Sequence, residues 1–445
     1  MSKRLIVLAL IALTVCFVSA AYAEVQNVKV GGDLTVVGVA RNNVSLRKAS
    51  SGATTDASAA ASIARVKIEA NLTDNVDVTF RLLNERIWSS SSESTTNGNG
   101  TGVDIDLAYV TFKDFLKDTI GVPLTLKLGR QDIKIGSGLL LADPDTNQRT
   151  TAGNFANSGT IVNGIGDLSA RKAFDGAVAV MDFNPLTVTA GAVKVTEGSV
   201  TDGTNDDVNA YVLSGAYNLG VMNSTIELTY LMEDSNKKST STAALNPGDI
   251  NVYDARFVAT PIENLGVEAE YAYMTNKQAS VRADRKLISD SAFRLNGMYT
   301  FVNTSMTPSF GLDYTRLSEN WQPLFEDQSP ASIVNVLFAN TNVQAFGATL
   351  GAKPTSDLSA KLRFAYLRLV KAGATSLTSN GTGLTYTMDG TKKSLGNEVD
   401  LDLAYDYTSD VQFGLNLGYF KPGKAFARDY RGACSQVIGS MKVSF

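Results

Sequence analysis

The apolar residues of this chain alternate with polar ones, and that spacing constrains its fold more than any other feature. From Ala64 to Leu72, the residues Ala64, Val66, Ile68, Ala70 and Leu72 are apolar, while Arg65, Lys67, Glu69 and Asn71 are polar. After Thr73-Asp74-Asn75, the residues Val76, Val78, Phe80 and Leu82 alternate with Asp77, Thr79 and Arg81. A period of two belongs to an extended strand, and here one whole face of each strand carries charge. The pattern returns at 226–232, 265–273, 358–366, 399–407 and 411–419. A soluble sandwich also alternates, but its strands are shorter. These run to about ten residues or more, the length that crosses a bilayer when tilted.

Strands are predicted near 28–41, 60–72, 76–88, 102–113, 122–133, 174–183, 185–195, 207–218, 223–233, 250–260, 264–275, 290–302, 305–317, 341–353, 356–371, 396–407, 410–421 and 435–445. Short turns such as Asn184-Pro185 and Thr408-Ser409-Asp410 alternate with long connections rich in Ser, Thr, Asn and Gly, including 43–60, 88–101, 134–173, 318–340 and 372–394. One short-side connection, Lys113 to Gly121, is longer. Short turns at one end and long loops at the other are the asymmetry of bacterial outer-membrane barrels. The expected fold is therefore all-β: a transmembrane antiparallel β-barrel of about eighteen strands, with both termini on the short-turn side. A mean hydropathy of −0.02 suits a wall that is apolar on one face and polar on the other.

The first residues have a different character. Lys3 and Arg4 precede an apolar run from Leu5 to Val18, and Ala21-Tyr22-Ala23 forms a small-x-small site. This is the layout of a secretory signal peptide, 1–23, cleaved before Glu24. At about 14 residues the run is short for a membrane anchor. Cys16 lacks the small preceding residues of a lipidation site, since Thr14 and Val15 stand there. The barrel is expected to occupy 24–445 as one domain. Loss of Lys3 and Arg4 takes the formal net charge from −4 to −6. One cysteine, Cys434, then remains, and no internal disulfide is possible.

The chain contains no histidine. That removes a Ser-His triad, a histidine-based zinc site and c-type haem attachment together. No enzymatic activity, cofactor, metal or nucleic-acid partner is expected. Asp143-Pro-Asp145-Thr-Asn147 has the spacing of a calcium loop, but Gln148 stands where glycine is required, so an ordinary polar loop is expected. The acidic run Asp202, Asp206, Asp207 is treated alike. Tyr273, Tyr366, Tyr407 and Tyr419 lie at strand ends, where girdle tyrosines meet the membrane interface.

The last strand places Val437, Gly439, Met441, Val443 and Phe445 on one face and ends on phenylalanine. A terminal aromatic on an alternating strand resembles the signal by which barrel-assembly machinery recognises its substrates. Internal motifs carry a second resemblance. Asp106-Leu107-Ala108-Tyr109-Val110 is followed by Leu128-Gly129-Arg130-Gln131-Asp132, Ala173-Phe174-Asp175-Gly176, Leu395-Gly396-Asn397-Glu398-Val399-Asp400-Leu401 and Gly418-Tyr419-Phe420-Lys421-Pro422-Gly423. In that order they resemble the alginate-export family of outer-membrane porins, with Gly129, Arg130 and Gln131 as family-motif residues. The resemblance implies an eighteen-stranded barrel in the outer membrane of a Gram-negative bacterium. It implies a channel that passes small polar solutes or an exported saccharide, with outer-membrane lipid around it. The alternative class is a non-conducting barrel, acting as a sleeve for a partner protein or as a surface-interaction protein. The oligomeric state is left open.

With the apolar parity facing lipid, the lumen bases are Arg65, Lys67, Arg81, Lys127, Arg256, Arg294, Lys361, Arg363 and Lys442. The lumen acids are Glu69, Asp77, Glu85, Asp104, Asp106, Glu227, Glu233, Asp254, Glu268, Glu270, Asp313, Glu398, Asp400, Asp402 and Asp406. Nine bases against fifteen acids predict a weak preference for cations, contrary to the basic lumen expected of a polyanion conduit. Inward folding of Arg149, Arg171 or Lys172 would alter that balance. Lys361 and Arg363 are expected beside Glu398, Asp400 and Asp402, and Arg65, Lys67 and Arg81 near Asp104 and Asp106.

Overall fold

The computed structural model describes residues 27–52, 54–88, 102–144, 166–196, 207–235, 249–278, 286–379 and 383–445. The predicted signal peptide, Arg149 and all but the first residue of the 88–101 connection lie outside them, as do Asp145 to Gln148, Asp202 and Asp206. The first fifteen strands are β1 (Asn27–Asn42), β2 (Ala57–Thr73), β3 (Val76–Ile87), β4 (Asp104–Phe112), β5 (Leu124–Asp132), β6 (Ala173–Asp182), β7 (Leu186–Thr196), β8 (Val208–Asn218), β9 (Thr225–Ser235), β10 (Ile250–Ile262), β11 (Leu265–Gln278), β12 (Lys286–Thr300), β13 (Ser309–Leu317), β14 (Val343–Ala352) and β15 (Leu358–Leu369). A small hairpin, β16 (Ser376–Thr378) and β17 (Thr385–Thr387), precedes β18 (Ser394–Asp406), β19 (Val411–Pro422) and β20 (Cys434–Ser444).

Eighteen of these strands form one antiparallel sheet in which each pairs with its neighbours in sequence, and β1 pairs with both β2 and β20. The sheet is therefore closed, and no edge is left unpaired in the hydrocarbon region. Gly32 and Phe445 exchange main-chain bonds at the seam, 2.9 Å and 3.0 Å long. No helix among the described residues is long and apolar enough to cross a membrane.

Register fixes the two faces. Directly paired residues share a side, so Val66 stands beside Leu82 and Lys67 beside Arg81. The outward set, including Leu228, Tyr253, Leu312, Phe346, Leu362 and Phe413, leaves an apolar belt exposed. Tyr273, Tyr407 and Tyr419 lie exposed at strand ends, as an interfacial girdle requires. Each predicted strand is present, with bounds differing by a few residues. The differences lie in the connections: 113–121 holds a short helix at Lys117–Ile120, 318–340 holds one at Ser332–Leu337, and 372–394 holds the β16–β17 hairpin.

Candidate functional site

Three connections turn into the barrel instead of away from it. Leu139, Leu140 and Leu141 from the β5–β6 connection are buried with Trp321, Phe325, Val334 and Leu337 from the β13–β14 connection, and with Tyr386 of β17. This cluster also takes in Leu231, Val252 and Ala272, inward residues of the wall. Burial of apolar side chains drives the loops inward, since each fully buried Leu or Phe is worth about 1.5–3 kcal/mol.

Two of these connections join across the lumen. Ala142 N and Asp143 N donate to Phe325 O at 2.7 and 2.9 Å, Phe325 N donates to Leu140 O at 3.3 Å, and Asp327 N to Gly138 O at 2.9 Å. Leu141 and Phe325 form a parallel bridge. The result is a bar, 137–143 against 325–328, with anchors on the wall. Ser137 Oγ donates to Glu270 on β11 at 2.7 Å. Beyond the bar, Ile333 N and Val334 N donate to Glu398 at 2.6 and 2.9 Å, and Ser332 Oγ donates to Asp400 at 2.6 Å. Arg363 Nε donates to Pro330 O at 2.9 Å.

These anchors correct the predicted lining. Glu398, Asp400, Glu270 and Asp106 are 0%, 2%, 3% and 1% exposed, so they are buried and do not border open water. Lys361 does meet Asp402, at 3.3 Å. Arg363 turns away from Asp400, its register partner, and makes a two-pronged pair with Asp313 at 2.7 and 2.9 Å. The pair spans Gly347 on the strand between, where a Cβ would lie 2.3 Å from Asp313 Oδ1 and 2.6 Å from Arg363 Nη2. Arg256 bridges Glu227 and Glu268 at 3.1 and 2.5 Å, and Arg294 meets Glu270 at 3.1 Å.

On the opposite wall, Arg65 holds Asp33 through two bonds of 2.8 and 2.9 Å, and Lys67 meets Glu69 at 2.6 Å. Arg81 bonds Asp106 and reaches Asp132 at 3.2 Å. Asp104 pairs with Arg171 and Asp327 with Lys172, so both of those loop cations fold inward. Lys127 sits 5.7 Å from the ring centroid of Tyr109.

Space remains between this wall and the bar. One cavity of about 310 Å³ is lined by Lys29, Asp33, Arg65, Lys67, Glu69 and Arg81. A second of about 360 Å³ is lined by Arg65, Arg81, Asp132, Lys134, Lys172 and Asp327. The two share Arg65 and Arg81 and make one track from the short-turn end to the bar. Six cations and four carboxylates line it, with Asp106 buried beneath Arg81. All four lining carboxylates are paired with lining cations, whereas Lys29 and Lys134 have no ion-pair partner among the described residues. Sequence reasoning passed over Lys29 and Lys134; Lys29 carried the signal of charged parity, but Lys134 lies in a loop and carried none.

The residues expected to form the motif, Gly129, Arg130 and Gln131, bond within β4–β6 of the wall. Gly129 has φ +123°, a region open to glycine, and a Cβ there would lie 2.2 Å from Ala108 O. Gln131 is buried, and its Nε2 donates to Gly129 O at 3.2 Å. Arg130 meets Asp175, its register partner on β6, at 2.8 Å. Asp143 is buried in the bar, and no group of three metal-ligating residues occurs among the described residues.

A closed eighteen-strand wall with an apolar exterior and a charged, loop-narrowed interior defines an outer-membrane channel. The chain belongs to the alginate export family, whose model matches residues 29–438. It is a transport protein of the Gram-negative outer membrane, not an enzyme. Its fold is similar to that of Pseudomonas aeruginosa OpdQ, at 12% identity over 95% of this chain and 98% of that one, with a TM-score of 0.56. Acinetobacter baumannii OccAB1 is similar at 13% identity over 96% and 98%, with a TM-score of 0.57. P. aeruginosa OccK5 (OpdH) is similar at 12% identity over 95% and 99%, with a TM-score of 0.55. No curated protein sequence matches the chain.

Proposed function

We propose that the channel prefers anionic solutes, a carboxylated saccharide chain among them, and passes them along the track between the bar and the β1–β5 wall. The observation that carries this is the pairing imbalance. Each lining carboxylate pairs with a lining cation, Arg81 serving both Asp132 and buried Asp106, while Lys29 and Lys134 have no ion-pair partner among the described residues. Fixed charge at a wall of low local dielectric biases ion entry, and paired charge does so far less. The excess of acids counted over the whole wall carries less weight, because Glu398, Asp400, Glu270 and Asp106 are buried. In a planar bilayer with a salt gradient, the reversal potential should report anion preference. Lys29→Gln with Lys134→Gln should bring it near zero. A cation-selective wild-type pore would overturn the proposal.

The route to the membrane is part of the same proposal. Residues 1–23 act as the export signal, so the mature chain should begin at Glu24 by N-terminal sequencing. Phe445 acts as the signal to the barrel-assembly machinery, supported by its place beside the closing seam. Deleting it should lower the amount of folded barrel in the outer membrane, and an unchanged yield would remove that role.

A further inference from the structure

Glu326 follows Phe325 in the bar and is 1% exposed, and it lines a cavity of about 380 Å³ with Leu139, Asn340, Arg294, Asp313, Lys361 and Arg363. Its Oε1 accepts from Asn340 Nδ2 at 2.7 Å, and its Oε2 is buried without a partner among the described residues. A buried carboxylate with half of its acceptor capacity unmet is costly, and protonation removes most of that cost. The surrounding groups offer little relief. Asp143 on the other arm and Asp327 on its own arm are like charges, and Arg294 on β12 is the cation that acts on it. Lys172 is engaged with Asp327, and Arg294 with Glu270. Glu270 also takes Ser137, and Glu398, Asp400 and Arg363 hold the segment that follows the bar.

We propose that the bar is a proton-locked gate: it seats with Glu326 neutral and unseats as Glu326 ionises. The inference rests on the bar's own packing and is independent of which ions the track prefers. Burial, the largest influence, pushes Glu326 up to about 8 from an ordinary value of 4.5. The sign follows from linkage. A carboxyl whose pKa is higher in the seated state takes up a proton on seating. Seating is then at full strength below the ordinary carboxylate range. It weakens as pH rises toward about 8 and stays weak above it. One proton changes the seated-to-unseated ratio by at most about tenfold per pH unit. The bonds between the arms are few, four main-chain bonds, one from Gln328 Nε2 to Ser137 O at 2.7 Å and a shared apolar cluster, so unseating leaves the barrel wall intact.

The test is single-channel recording of the full-length protein from pH 5 to pH 9, scoring occupancy of the higher-conductance state. Wild-type occupancy should climb with pH and level off near pH 8. Glu326→Gln keeps the shape and removes the charge, so it should stay in the low state at every pH. Asp143→Asn should keep a pH-dependent rise. Leu141→Cys with Phe325→Cys, oxidised to cross-link the arms, should abolish the rise with Glu326 intact, and reduction should restore it. A flat wild-type profile would sink the proposal. So would a Glu326→Gln channel that follows the wild-type curve, or a cross-linked one that still responds to pH.

Discussion

The two sides of the lumen are built from the same residue types and put them to different use. On the β1–β5 side, Arg65, Lys67 and Arg81 hold their acids along the wall and face open space. On the β11–β18 side, Glu270, Glu398 and Asp400 point into folded loop and serve as its anchors. Strand parity puts a charge inside a barrel, but what covers that charge decides whether it meets solute or holds structure. A lining carboxylate tunes ion entry, whereas a covered one contributes to stability and shape.

Breaking the covered side should have the largest effect. Glu398→Ala with Asp400→Ala removes the acceptors of Ile333 N, Val334 N and Ser332 Oγ. A typical hydrogen bond contributes about 0.5–1.5 kcal/mol, and an N–H left buried without an acceptor costs about 1–3 kcal/mol. The Ser332–Leu337 segment should detach, and single-channel conductance should rise; an unaltered conductance would show that these acids are not anchors. On the open side, Arg65→Ala with Arg81→Ala should change selectivity and leave the bar alone. Asp33, Asp132 and buried Asp106 would lose their cations, and the reversal potential should move toward cations with little change in conductance. A smaller effect is expected at Gly347→Ala, where a Cβ collides with the Asp313–Arg363 pair. Overpacking of this kind costs about 1–3 kcal/mol, read as a lower unfolding temperature in detergent. Lys361→Ala should do least. Its pair with Asp402 is exposed, and such pairs are worth about 0.2–1 kcal/mol.

The wall was legible in the sequence because a period of two is a local signal that repeats. Val66, Ile68, Leu82 and Phe80 announce their face without reference to anything distant. The setting of the expected motif residues was not legible. Gly129 reads as a motif residue, and only the approach of Ala108 O shows why a side chain is excluded. The bar was hidden for a physical reason. Leu139-Leu140-Leu141 and Trp321 sit in connections without periodicity, and their partners lie far away in sequence. The same distance misled the charge count. Nothing near Glu398 announces that Ile333 N and Val334 N will cover it, and strand parity alone places it beside half-buried Asp402.

The bond between Gly32 and Phe445 makes the first and last strands neighbours. Every other strand pair is local in sequence, so seventeen hairpin-like closures can form as the chain advances, while the eighteenth must wait for its final strand. Loop-closure entropy grows only logarithmically with length, so this last contact costs little more at equilibrium than a far shorter one. Its consequence is kinetic: the ring cannot shut early, and an incomplete chain remains an open ribbon with two unpaired edges. A circular permutant that links the two ends at the seam and opens the Thr408-Ser409-Asp410 turn would move that final step to the β18–β19 pair.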